Sequence, residues 1–146
     1  MGYYMRYVVV DDPPPSLEEL GDHLRRLDSA YVLQQRGSVA VLTYGGSPVA
    51  QLEVNTRGDD LLDQERDELI QFLEDANGPA KDEVLKTLRA STSVLAAQVL
   101  FGDRGTEATV ERLAPIWQWF FAHRRGLLQA DGEGYRDKDG LVLEVE

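Results

Sequence analysis

Polar and apolar residues along this chain change period several times, and each change predicts an element. The run over residues 6–10 is β-branched and predicts a strand. Residues 11–15 (DDPPP) make a stiff connector, because each proline fixes its own φ and biases its predecessor away from helix. Ser16 and Glu19 form a capping box, and Leu17, Leu20, Leu24 and Leu27 follow at helical spacing. Strands are predicted over 31–35, 39–44 and 49–54, the last two flanking the turn Gly45-Gly46-Ser47-Pro48. In the last, Ala50, Leu52 and Val54 alternate with Gln51 and Glu53, the pattern of one buried and one wet face.

A helix is predicted over 60–76, with Leu62, Leu69, Leu73 and Ala76 on one stripe and Ile70 and Phe72 at its margins. Asn77-Gly78-Pro79 stops it, and a short helix follows over 80–90. Residues 91–100 (STSVLAAQVL) are apolar on both alternate faces. They suit a doubly covered central strand, with helix as the alternative, and the amide of Gln98 is expected to find a partner inside it. Thr106 is read as the cap of a helix running to about 125, with Pro115 inside it. A final hairpin is read over 127–136 and 141–145, around Asp137-Lys138-Asp139-Gly140.

The order β-α-β-β-β, two helices, β-α-β-β is a pseudo-repeat of elements without residue-level self-similarity. It predicts one α+β domain over 1–146, with a mixed or mainly antiparallel sheet covered by helices. Residues 1–4 are read as a flexible or vector-derived leader before a start at Met5. The order resembles duplicated βαββ ligand-binding domains and, more loosely, paired βαβββ modules of the glyoxalase and bleomycin-resistance type. That resemblance covers most of the chain and rests on element order. Metal-dependent proteins of the second type take strand-borne His and Glu ligands. Here the only histidines, His23 and His123, fall on predicted helices, so no metal or catalytic residue carries over.

Charge sharpens the picture. The net charge of the 146 residues is −11; residues 1–76 carry 15 acids against 6 bases, hence −9, and the remainder carries −2. Residues 59–75 alone hold eight carboxylates and one arginine, Arg66. A field of this sign repels nucleic acid and anionic membrane and attracts basic proteins. The absence of cysteine removes disulfides, thiol nucleophiles and thiolate metal sites, and fits a reducing, cytoplasmic setting. No secretory leader or membrane helix is read in the chain.

Few motifs carry chemistry. There is no nucleophile elbow and no phosphate-binding loop. Residues 131–140 are acidic and glycine-rich but miss EF-hand spacing. Read as one strand, they place Asp131, Glu133 and Tyr135 on one face. Trp119 falls outside the buried arc of its helix, beside Arg112 and His123, residue types enriched at contact hot spots. No cofactor is expected.

The leading expectation is a non-enzymatic module that contacts a basic protein through Asp60, Asp63, Asp67 and Glu74, joined by Trp119, Arg112 and His123. The alternative is a small-molecule site between the pseudo-repeats, read by Asp131, Glu133, Tyr135 and Tyr44. A carboxylate-based hydrolase is a weaker third, and a homodimer through a strand edge or the Trp119 face is a further option.

Overall fold

The computed structural model describes residues 3–56, 58, 60–102 and 105–145. Eight strands form one sheet in the order β2-β3-β4-β5-β1-β6-β7-β8. They are β1 (Tyr3–Val9), β2 (Tyr31–Arg36), β3 (Val39–Tyr44), β4 (Ser47–Thr56), β5 (Ser93–Val99), β6 (Gly126–Ala130), β7 (Gly134–Asp137) and β8 (Gly140–Glu144). Every neighbouring pair is antiparallel. The helices are α1 (Leu17–Leu27), α2 (Asp60–Phe72), α3 (Lys81–Arg89) and α4 (Thr106–His123). This is the α+β class that the pattern predicts.

Strand alternation sorts the helices onto two faces. Tyr7 and Val9 of β1 join the core built with α1 and α4, while Val8 between them joins the core under α2 and α3. Leu95 and Val94 of β5 divide the same way. The run over 91–100 is therefore a doubly covered strand, which explains its apolar residues on both faces. Gln98 is half-buried, and its side-chain amide makes no hydrogen bond among the described residues.

Several boundaries differ from expectation. Tyr3 and Tyr4 pair with Val99 and Gln98, so β1 begins inside the stretch read as a leader; Met1 and Gly2 lie outside the described residues. Ser16 caps α1 by accepting from the Glu19 amide. Gly105, not Thr106, is the cap residue of α4. Helix α2 stops at Phe72, where tighter bonds from the amides of Leu73 and Glu74 to the carbonyls of Ile70 and Gln71 close the turn. Glu74 and Asp75 therefore lie past the helix end, whose partial negative charge they would oppose.

The largest difference is an extra strand. The stretch over 127–136 is two strands, β6 and β7, joined by a turn at residues 131–133. Gly132 has φ +76 and Gly134 φ +128, values that L side chains rarely adopt, and the Glu133 amide bonds to the Ala130 carbonyl. Asp131 and Glu133 thus sit on a turn and not on a strand face.

The extra strand completes a second βαβββ unit, yet the two units are wired differently. In the first, α1 crosses from β1 to the far edge at β2, and the meander returns inward to β4. In the second, α4 carries the chain from β5 over β1 to β6, and the meander runs outward to β8. β5 lies between β4 and β1, so the units share one continuous sheet.

Candidate functional site

The sheet face under α2 carries one cation in a central strand. Arg6 alternates with the apolar Met5 and Tyr7 and so points to the α2 side. Its side chain is only 16% exposed. Burial alone would lower its pKa, but the hydrogen bond to Glu65 and the charges of Asp131 and Glu65 outweigh this and raise it. Arg6 Nε donates to Glu65 Oε2 at 2.9 Å, and Nη1 donates to Gln129 Oε1 at 2.8 Å and Asp131 Oδ1 at 2.9 Å. Nη2 makes no hydrogen bond among the described residues.

The partners are held in turn. Asn55 Nδ2 donates to Glu65 Oε1 at 3.2 Å, so the one acid of α2 that turns inward is fixed from two strands. Asp131 accepts from the Tyr4 amide at 3.2 Å and from Gln129 Nε2 at 3.0 Å, and its own amide donates to the Tyr4 carbonyl at 3.1 Å. The turn at 131–133 is thereby tied to β1.

Above this network opens a cleft of about 290 Å³ between α2 and strands β1, β6 and β7. Its α2 wall is Glu65, Glu68, Leu69, Phe72 and Leu73, a stripe at spacings of three and four that places them on one helix side. Leu69 and Leu73 are buried in the floor, whereas Phe72 is 71% exposed at the rim. Arg6, Gln129, Asp131 and Tyr135 form the opposite side. Tyr135 is 2% exposed, yet its hydroxyl has no hydrogen-bond partner among the described residues. Burial raises its pKa, with Arg6 opposing and Asp131 adding to the shift.

Sequence-predicted residues distribute unevenly around this cleft. Of the four alternative ligand residues, Asp131 and Tyr135 come together there. Glu133 turns to solvent, where it accepts from the Tyr3 hydroxyl at 3.1 Å; burial, then Glu133, pushes that phenol up to about 12. Tyr44 lies on the α1/α4 side. It donates to Asp28 Oδ2 at 2.6 Å, while the Arg112 guanidinium sits 3.8 Å above its ring. The hydrogen bond from Tyr44 holds the Asp28 pKa below the usual carboxylate range. This cluster joins α4 to the β2–β3 hairpin, since Tyr31 also donates to the Arg112 carbonyl at 2.7 Å.

The expected partner residues divide between the two faces of the sheet. Asp60, Asp63, Asp67 and Glu74 are exposed on the α2 side. Arg66, the lone cation of the segment, is committed to Asp63 and to the Ser91 carbonyl. Asp60, Asp67, Glu68, Glu74 and Asp75 make no ion pair among the described residues; Asp59 lies outside them. Trp119, Arg112 and His123 are on the α4 side and cannot extend that surface. Trp119 is half-buried, edge-on to Phe120 at 5.1 Å, with the rings of His23 and His123 at 6.2 and 5.6 Å. Burial, then the positive charge of Arg26, lowers the His23 pKa.

Sequence reasoning missed Arg6, Gln129 and the rim position of Phe72. The available signal was a charge in the middle of a strand core, which must find partners when it is buried. No group of three or more metal-ligating side chains is found among the described residues. No helix among them is long and apolar enough to cross a membrane. In this cleft Glu65 and Asp131 both accept from Arg6. No family model matches the chain, and no curated protein or solved structure is significantly similar to it.

Proposed function

We propose that this protein is a non-enzymatic interaction module that binds a basic protein segment along α2 and its adjoining cleft. The observation that carries this reading is an exposed aromatic, Phe72, set among uncompensated carboxylates at the mouth of a cleft. Solubility alone explains exposed acids. It does not explain a 71%-exposed phenylalanine beside them, whereas an aromatic anchor within a charged rim is the usual anatomy of a contact site. Asp60, Asp67, Glu68, Glu74 and Asp75 supply charge that no ion pair among the described residues takes up, although Lys81 Nζ donates to the Glu74 carbonyl at 3.0 Å. A basic partner would neutralise it, with on-rates that fall as salt rises.

The test is binding of a defined arginine- and lysine-rich peptide, measured by calorimetry at about 25 mM and about 150 mM salt, a range over which screening shortens substantially. Affinity is expected to fall about tenfold across that range. Phe72→Ser is expected to weaken binding at both salt concentrations, and the charge-reversed D67K/E74K variant to abolish most of the salt dependence. Binding that is indifferent to salt and to both variants would refute the proposal.

A further inference from the structure

The hydrogen-bonding capacity left over in the cleft specifies its occupant more closely than charge does. This step rests on the basic-partner reading and names what enters the site. Two groups on the cleft wall carry unused capacity: the Tyr135 hydroxyl, at the solvent-reaching end of an otherwise buried ring and unbonded among the described residues, and Arg6 Nη2. A phenol hydroxyl is free to donate into the cleft, and a guanidinium nitrogen can only donate. The cleft therefore offers hydrogen-bond donors at its base. At its mouth it offers the opposite, a carboxylate on Glu68 and the open face of Phe72.

An occupant must therefore present an acceptor inward and a cation outward. A free carboxylate fits the donors but meets Glu65, Glu68 and Asp131 at short range. A polyamine satisfies Glu68 but has no acceptor to give Arg6. A main-chain carbonyl is a neutral acceptor, and a basic residue carries one within a few bonds of its charge. Between the basic residues, arginine matches the mouth better. Its planar guanidinium stacks on an aromatic face and pairs bidentately with a carboxylate, which an ammonium does not.

We infer that the cleft is a receptor for a single arginine of an extended peptide segment. The main-chain carbonyl of that segment accepts from Tyr135 and Arg6, and its guanidinium lies between Phe72 and Glu68. The stability of Tyr135 variants makes the idea unusually open to test. Because the hydroxyl has no partner among the described residues, Tyr135→Phe removes no hydrogen bond there, so the variant is expected to fold with an unchanged Tm. A residue whose conservative replacement weakens binding without weakening the fold serves a ligand.

The experiment is an NMR titration of capped pentapeptides with a central arginine, its uncharged isostere citrulline, or lysine, with spermidine alongside. Shifts are expected at Leu69, Leu73 and Phe72. Citrulline is expected to bind at least tenfold more weakly than arginine, and lysine severalfold more weakly. Tyr135→Phe should weaken the arginine peptide about fivefold, the size of one hydrogen bond, and leave spermidine unchanged. Glu68→Gln should weaken both. If spermidine matches the peptide and Tyr135→Phe alters neither, or if the shifts map to the Trp119 side, this inference is overturned. Salt-dependent capture of the longer basic peptide, and its loss in D67K/E74K, would still stand or fall separately.

Discussion

At the scale of single residues, Arg6 decides how α2 meets the sheet. It holds two carboxylates and an amide from three different segments, and each of those groups is itself half-buried or buried. Taking such a cation away leaves Glu65 and Asp131 facing each other's charge with nothing between them. Removing one member of a buried ion pair costs about 3–5 kcal/mol, whereas replacing the set with apolar groups of similar size is often near neutral. Arg6→Met is therefore expected to destabilise the protein by about 3 kcal/mol, reduced somewhat because Asp131 is 37% exposed. The triple variant R6M/E65M/D131N should recover most of that loss. Denaturant melts of the single and triple variants give the comparison; a triple variant as unstable as R6M would mean that Arg6 acts by packing and not by charge.

At the scale of elements, the β6–β7 turn fixes both the cleft floor and the outer edge of the sheet. A Cβ on Gly134 would stand 2.0 Å from the Leu143 carbonyl oxygen and 2.8 Å from the Val145 amide, both backbone atoms that cannot step aside. A Cβ on Gly132 meets nothing within 4 Å, although its φ of +76 still disfavours most side chains. Gly134→Ala is thus expected to unpair β8 and lower stability by more than 2 kcal/mol, while Gly132→Asn, a residue that tolerates that conformation, costs under about 1 kcal/mol. Thermal melts with amide exchange of β8 would read both; equal costs would remove the close approach as the cause.

The same turn marks the limit of what the sequence made legible. Leu62, Leu69 and Leu73 at helical spacing were enough to dock α2, and the two-faced apolar run of β5 was enough to centre it. Residues 127–136 concealed a reversal because Gly132 and Gly134 fit a strand with a glycine face as well as they fit a turn. Only the carbonyl of Leu143, supplied by a strand further along, separates the two. The cleft was half legible. Asp131 and Tyr135 were visible as candidates, but Arg6 and Phe72 became part of the site only through pairings between β1, β6 and α2, distant segments that no local pattern encodes.

At the scale of the whole molecule, the charge that suits α2 to a basic partner should also strain the free protein. The net charge of −11 is concentrated in the first half of the sequence, and five acids on the α2 side make no ion pair among the described residues. Self-repulsion of this kind acts over the Debye length, about 30 Å at 0.01 M salt and about 8 Å at 0.15 M. The Arg6 network is partly shielded from solvent and so responds little to added salt. Raising NaCl from about 10 mM to 150 mM should therefore raise Tm, by about 2–4 °C if the relief is near 1 kcal/mol. The charge-reversed D67K/E74K variant should begin at a higher Tm in low salt and gain less from screening, and its weakened binding of the basic peptide should vary little with salt. A Tm that is flat in salt, or that falls, would mean the acidic surface is balanced within the chain. It would then offer no stored repulsion for a partner to relieve, and binding would have to draw on Phe72 and the cleft alone.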